Sequence, residues 1–164
     1  MTHKFFSVQT PEGGSYNIEL SSFDDSSFPK EVANAISPFI DVVNIDLTRA
    51  RKERTASIRT LSIITSRIAE YFLERKNLVI CYYCDFLGPI PHTNKKITCQ
   101  AYRNQLFSLL FKRYIIKFDI SGIIDRVITI HGVEDYFVHI IYRQQHEKYV
   151  NLIANSIHEG YDKP

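Results

Sequence analysis

Three cysteines and one histidine fall close together in the middle of the chain, at Cys81, Cys84, His92 and Cys99, and these are the residue types that hold zinc. The first two have the C-x-x-C spacing of a zinc knuckle. Their surroundings, Leu78 to Phe86, are a continuous apolar run that reads as a β-strand. Residues three apart on a strand point to opposite faces, so both thiolates reach one ion only if a turn separates them. No metal is therefore expected, and two buried, apolar cysteines account for the pair. The same geometry argues against a thioredoxin-type redox pair, which has to open a helix.

The second concentration of chemistry is cationic. Arg49-Ala50-Arg51-Lys52-Glu53-Arg54-Thr55 carries four cations and one carboxylate just ahead of a predicted helix. Free amides at a helix start bind anions, and arginine adds forked donors that match phosphate oxygens. Arg49, Arg51, Lys52, Arg54 and Thr55 are accordingly candidate ligand-binding residues for a phosphate-containing ligand. A solvated surface loop uses the same letters.

The six histidines are scattered. His131 and His139 fall in one predicted hairpin and are expected to face each other across it. His146-Glu147 lacks the second histidine of an HExxH motif, and the E-x-K letters of Glu74-Arg75-Lys76 fall at a helix end. There is no Gly-x-Ser-x-Gly, no Walker loop and no Gly-x-Gly-x-x-Gly, so hydrolase, P-loop and dinucleotide-binding readings lose their usual support.

The elements that must position these residues are legible in the periodicity. Residues 4–9 and 15–20 alternate apolar and polar around Pro11-Glu12-Gly13-Gly14, which predicts a hairpin. A short helix from about Pro29 to Ile36, with proline at its first position, can follow. Residues 42–48 read as a strand with Val43, Ile45 and Leu47 on one face and Asn44 and Asp46 on the other. From about Ala56 to Arg75, Ile58, Leu61, Ile64, Ile68 and Phe72 recur at helical spacing, with Thr55 or Ser57 as cap and Asn77 as stop. The apolar run from Leu78 is expected in the middle of the sheet. Residues 87–97 hold Gly88, Pro89 and Pro91 and read as loop. A helix from about Thr98 to Tyr114 is apolar nearly all round from Leu106 to Phe111, which suits deep burial or a partner. A second hairpin is expected over 124–131 and 136–142 around Gly132, then a helix from Gln145 to Glu159 ended by Gly160 in the left-handed conformation. Strands clustered at both ends imply an α+β domain: a mostly antiparallel sheet of about six strands with two to three packed helices. The strand of Tyr82 is reached through a helix, so one pairing there can be parallel.

Composition narrows the function classes. A chain of 164 residues with 45% hydrophobic and 23% charged residues predicts one domain that buries its own core. An odd cysteine count argues against a secreted disulfide framework, and no stretch approaches a membrane span, so a cytoplasmic protein is expected. A net charge of +2 weakens the case for nucleic acid as partner.

Two resemblances add to this. The hairpin, the amphipathic helix, the strand ending Cys84-Asp85 and the helix opening Ala101-Tyr102-Arg103-Asn104-Gln105-Leu106-Phe107 together resemble a family of small bacterial proteins of unknown function. That family has an R-x-R-L-F-like segment after a strand ending I-C-D. Arg103, Leu106 and Phe107 match it, the loop at 87–97 is longer, and Asp85 and Arg103 become candidate site residues. The element order also resembles the core of the GNAT acyltransferases, which hold the pyrophosphate of acyl-CoA with a Q/R-x-x-G-x-G/A loop. Arg51-Lys52-Glu53-Arg54-Thr55-Ala56 stands at that place, with Arg54 where the family has its central glycine. The family's helical tyrosine acid is replaced by Phe111, which has no proton to give.

Three expectations follow. The leading one is a binding module without cofactor, for a protein partner or a phosphate-containing ligand through the basic segment. Its rival is an acetyl-CoA-dependent N-acyltransferase using Arg51, Arg54 and the amides of Thr55 and Ala56, its base Asp85 or a histidine. That rival requires a splayed V between two central strands. The third is weak RNA or DNA binding with Tyr82, Tyr83 or Tyr102 stacking on bases. The apolar second helix is also compatible with a homodimer, although core packing explains the same residues.

Overall fold

A computed structural model of the chain describes residues 4–9, 11, 14–23, 27–49, 58–84 and 96–161. The elements run β1 (Lys4–Gln9), β2 (Ser15–Ser22), α1 (Lys30–Ile36), β3 (Asp41–Arg49), α2 (Ile58–Leu73), β4 (Leu78–Cys84), α3 (Cys99–Lys117), β5 (Ile123–Ile130), β6 (Tyr136–Arg143), a 3-10 turn and α4 (Glu147–Tyr161). The six strands form one sheet in the order β1-β2-β3-β4-β6-β5. Every pairing is antiparallel except β3 with β4, the pair joined through α2. The fold is α+β, as the patterning implies, and the Leu78 strand lies inside the sheet. Leu78, Val79, Ile80 and Cys81 are all buried, which is why that run shows no alternation.

Alternation on the other strands sorts side chains between two faces. Val42, Val79, Cys81, Val138, Ile140, Tyr142, Ile128 and Ile130 point to one face, where Ile36 of α1 and Val150, Ile153 and Ala154 of α4 cover them. Val8, Tyr16 and Ile18 point to the other, against Leu61 and Ile64 of α2 and Leu106 and Leu110 of α3. A third cluster continues that second face, packing Leu20, Val43, Leu78 and Ile80 on Tyr71 and Phe72 of α2. Each fully buried Val, Leu or Ile contributes about 1.5–3 kcal/mol. The molecule thus has helices on both faces of the sheet, and the short Lys30 helix is a full member of one layer.

Helix ends explain two departures from the sequence expectation. α2 stops at Leu73, two residues before the expected Arg75, and the carbonyls around its end are gathered by one side chain from β6. Arg143 donates through Nη1 to the carbonyls of Arg75 (2.8 Å) and Lys76 (3.1 Å), and through Nη2 to those of Phe72 (3.0 Å) and Leu73 (3.3 Å). The carbonyls of Phe72 and Arg75 also accept the backbone amides of Arg75 and Leu78, so the guanidinium fork adds to the turn that leaves the helix. α4 runs through Gly160 to Tyr161, so Gly160 is not a left-handed cap. Among the described residues the left-handed positions lie after α3 instead, at Asp119 (φ 50°) and Gly122 (φ 73°). A helical glycine near a terminus costs about 1 kcal/mol at most, and the apolar face through Ile157 holds the last turns.

Candidate functional site

The sheet has one interruption, at its centre. β3 and β4 pair in parallel from Asp41 with Leu78 to Asn44 with Cys81 and no further. Both strands continue. β3 stays paired with β2 as far as Arg49, opposite Tyr16, and β4 stays paired with β6 as far as Cys84, opposite Phe137. Past Asn44 and Cys81 the two strands therefore have no ladder between them, and a fork opens at their carboxyl ends. Asn44 stands at its apex. Its Nδ2 donates to Asp46 Oδ2 at 3.0 Å, while its Oδ1 is buried without a hydrogen-bond partner among the described residues.

On the α2/α3 face, beside the fork, three adjacent strands bring polar groups into the core. Tyr82 of β4 is directly opposite His139 of β6, and the rings stack at 4.4 Å with 9° between their planes. Phe107 of α3 meets the Tyr82 ring edge-on at 5.4 Å. Asp125 of β5 is the diagonal neighbour of His139 on the same face, since Val127 is its direct partner. His139 Nδ1 lies 2.9 Å and 3.1 Å from the two Asp125 carboxylate oxygens. His139 is fully buried, and the Asp125 side chain is only 7% exposed. The other ring nitrogen, His139 Nε2, is buried and has no hydrogen-bond partner among the described residues. Burial first, then the Asp125 carboxylate and the Cys84 thiol, push the Tyr82 phenol well above its ordinary range, so it stays protonated at neutral pH.

α3 closes the same end of the molecule. Thr98 caps its first turn by accepting from the Ala101 amide at 3.3 Å. The buried Gln100 then donates to Glu134 Oε2 at 3.0 Å, in the turn between β5 and β6. That turn follows the carboxyl end of β5, which runs parallel to β4, so the start of α3 stands at the open end of the fork.

The residues singled out by sequence distribute as follows. Arg49 ends β3, at the mouth of the fork, and its side chain lies outside the described residues, as do Arg51, Lys52, Arg54, Thr55 and Asp85 altogether. Arg103 is on α3, partly buried, one turn from Gln100 and so at the same end. Cys81 and Cys84 are both buried and point to opposite faces of β4, Cys99 opens α3, and His92 lies outside the described residues. Among the described residues no group of three or more His, Cys, Asp or Glu is arranged to hold a metal. Tyr82 and Tyr83 also take opposite faces, and the ring of Tyr82 is occupied by His139. Among the described residues no helix is long and apolar enough to cross a membrane.

The expectation that His131 faces His139 is corrected by the register. His131 is in the turn itself, paired at 3.0 Å with Asp135, and His139 is opposite Val127. The hairpin stands where the sequence placed it to within one residue, with Ile130 paired to Tyr136 and the turn over 131–135, so His131 falls just outside the strand. With that turn placed, the same alternation puts Asp125 and His139 on one face, which is the signal that locates the pair. Comparisons with protein-family models, with curated proteins and with solved structures return no match.

Proposed function

We propose that the chain binds an acyl-CoA in the fork between β3 and β4, as an N-acyltransferase does, with the arginines of residues 49–55 against the pyrophosphate. The observation that carries this is the early end of the β3–β4 ladder at Asn44 and Cys81. Backbone N–H and C=O groups are obligatory hydrogen-bonding groups, and beyond Asn44 the β4-facing edge of β3 has no strand beside it. An extended arm that carries amides of its own, such as pantetheine, can add to such an edge as a strand would. The basic segment continues directly from the end of β3, so phosphate at the mouth and thioester within the fork follow one direction. The test is thermal melting and calorimetric titration with acetyl-CoA, CoA and ATP. At a hundred times its Kd a ligand of the native state adds about 2.7 kcal/mol. Acetyl-CoA should raise the Tm, and Arg51→Ala/Arg54→Ala should abolish the shift. A shift with ATP alone would reduce the site to a plain phosphate-binding one, and no shift with any of the three would overturn the reading.

A second reading, a module that docks a protein or a second copy of itself, draws on a different surface. Leu109, Ile116 and Phe118, along and just after α3, are exposed apolar side chains. Its test is the sedimentation mass of the purified chain with and without Leu109→Glu.

A further inference from the structure

Independently of the acyl-CoA reading, and on the surface that the docking reading draws on, we propose that the exposed face of α3 seats the chain on an anionic membrane surface. Its apolar side chains enter among the lipid headgroups and its cations meet the headgroup phosphates. α3 carries Arg103, Lys112, Arg113 and Lys117 and no carboxylate, in a chain whose net charge is only +2. Leu109, Lys112, Arg113 and Ile116 recur at spacings of three and four, so they share one side of the helix. That side faces away from the sheet, because Leu106 and Leu110 take the inward one. All four are exposed, Leu109 at 46% and Ile116 at 79%, and Lys117 and Phe118 (51%) continue the patch at the helix end. At the rise of an α-helix, the stretch from Leu109 to Phe118 is about 13 Å long.

The charges of this patch are not neutralised from within. Among the described residues Lys112, Arg113 and Lys117 form no ion pair, and Lys117 Nζ lies over the Phe118 ring at 5.2 Å. On neighbouring α2, by contrast, Arg67 is matched by Glu70, and just past its end Arg75 is matched by Glu74, each at 3.2 Å. Asp119, the next carboxylate in the chain, comes only after the patch. The mixture of groups selects the occupant. A twofold contact of two copies through this face would set Lys112, Arg113 and Lys117 against themselves. A nucleic acid takes phosphate contacts from the cations and leaves Leu109 and Ile116 in water. The centre of a protein interface is poor in lysine, whereas here Lys112 and Arg113 stand between Leu109 and Ile116. At a bilayer the stems of lysine and arginine lie along the apolar layer and reach up to the phosphates, while Leu, Ile and Phe go deeper. An anionic leaflet meets both kinds of group at once.

The test is co-sedimentation of the full chain with vesicles of phosphatidylcholine alone and with about one-third phosphatidylserine. The anionic vesicles should pellet the protein and the neutral ones should not. Binding should fall as salt rises from about 0.1 M to about 0.5 M, because screening shortens the reach of the charges. Each cation near such a surface is worth roughly fivefold, so Lys112→Gln/Arg113→Gln should weaken binding roughly 25-fold. Ile116→Ser/Phe118→Ser should weaken it about tenfold or more. Lys30→Gln, in the helix layer on the other side of the sheet, should leave it unchanged. All these positions are exposed, and an unchanged Tm checks that each variant is folded. Equal binding to neutral vesicles, or binding to neither, overturns the inference. So does binding that the glutamine pair weakens and the serine pair leaves intact, which describes a plain polyanion surface. A sedimentation mass that Leu109→Glu lowers, with no vesicle binding, gives the face to a second copy and keeps the docking reading. Acetyl-CoA binding is read separately by calorimetry and stands or falls on its own.

Discussion

The two faces of the sheet are built for different purposes. Against α1 and α4 the core is a single cluster of aliphatic side chains with Cys81 and Tyr142, anchored by Val150, Ile153 and Ala154, all fully buried. Against α2 and α3 the apolar packing is divided into two clusters, and His139, with Asp125 and Tyr82, intrudes among them. Polar groups inside a core weaken it unless every one is satisfied, and His139 Nε2 is not. Both faces bury aliphatic side chains completely, Ile18, Leu20, Val43 and Ile80 among them on the α2/α3 side, but only that side also holds the Asp125–His139 pair beside the break in the sheet.

The sharpest way to break that comparison is to open a cavity in the apolar face. Ile153→Ala removes a fully buried side chain from the contact between α4 and the sheet, and should cost about 2–5 kcal/mol in urea or guanidinium unfolding. A cost under about 1 kcal/mol would mean that this face is not the principal core.

The polar face should respond in the opposite sense to removal of its polarity. Asp125→Ala strands both nitrogens of a buried imidazole and should cost about 1–3 kcal/mol. Asp125→Leu/His139→Leu takes both partners away, and should recover most of that loss or exceed wild-type stability. A double variant less stable than the single would show that the pair is kept for stability.

How legible these faces were in the sequence depends on which physical rule governs each element. Strands β1 to β4 and helix α2 follow from apolar spacing, because a two-residue or 3.6-residue period has few structural solutions. The unbroken run from Leu78 predicted a strand covered on both faces, and the parallel pairing followed from the helix that precedes it. The fork was named only as a requirement of one reading, since local spacing carries no record of where two strands part. The Asp125–His139 pair was missed for a different reason. The expected strands, 124–131 and 136–142, fall within one residue of the observed ones, but bounds alone do not assign the register, and register decides which side chains stand together across the pair. The cap on α2 was equally out of reach, because Arg143 acts across a separation of about 70 residues.

The smallest expected effect compares two cysteines of one strand with one at a helix start. Cys81 is buried in the apolar face, and desolvation pushes its thiol up to about 12. The thiolate is the reactive form, so at pH 8 Cys81 should be inert to a disulfide reagent in the native state. Cys84, fully buried, should be equally slow, while Cys99, partly exposed at the start of α3, should label first. All three should react once the chain is unfolded. The same shift has a consequence for stability. The folded state binds the Cys81 proton more tightly than the unfolded chain, whose thiol titrates near its ordinary 9.0. Stability from this group is complete below pH 9 and falls as pH rises from there toward 12. The Tyr82 phenol, also raised, pulls in the same direction. Cys81→Ala should lower stability at pH 7 through the lost side chain and flatten its decline above pH 9, both read by denaturation at a series of pH values. Rapid labelling of Cys81 in the folded protein would show that the α1/α4 face opens locally.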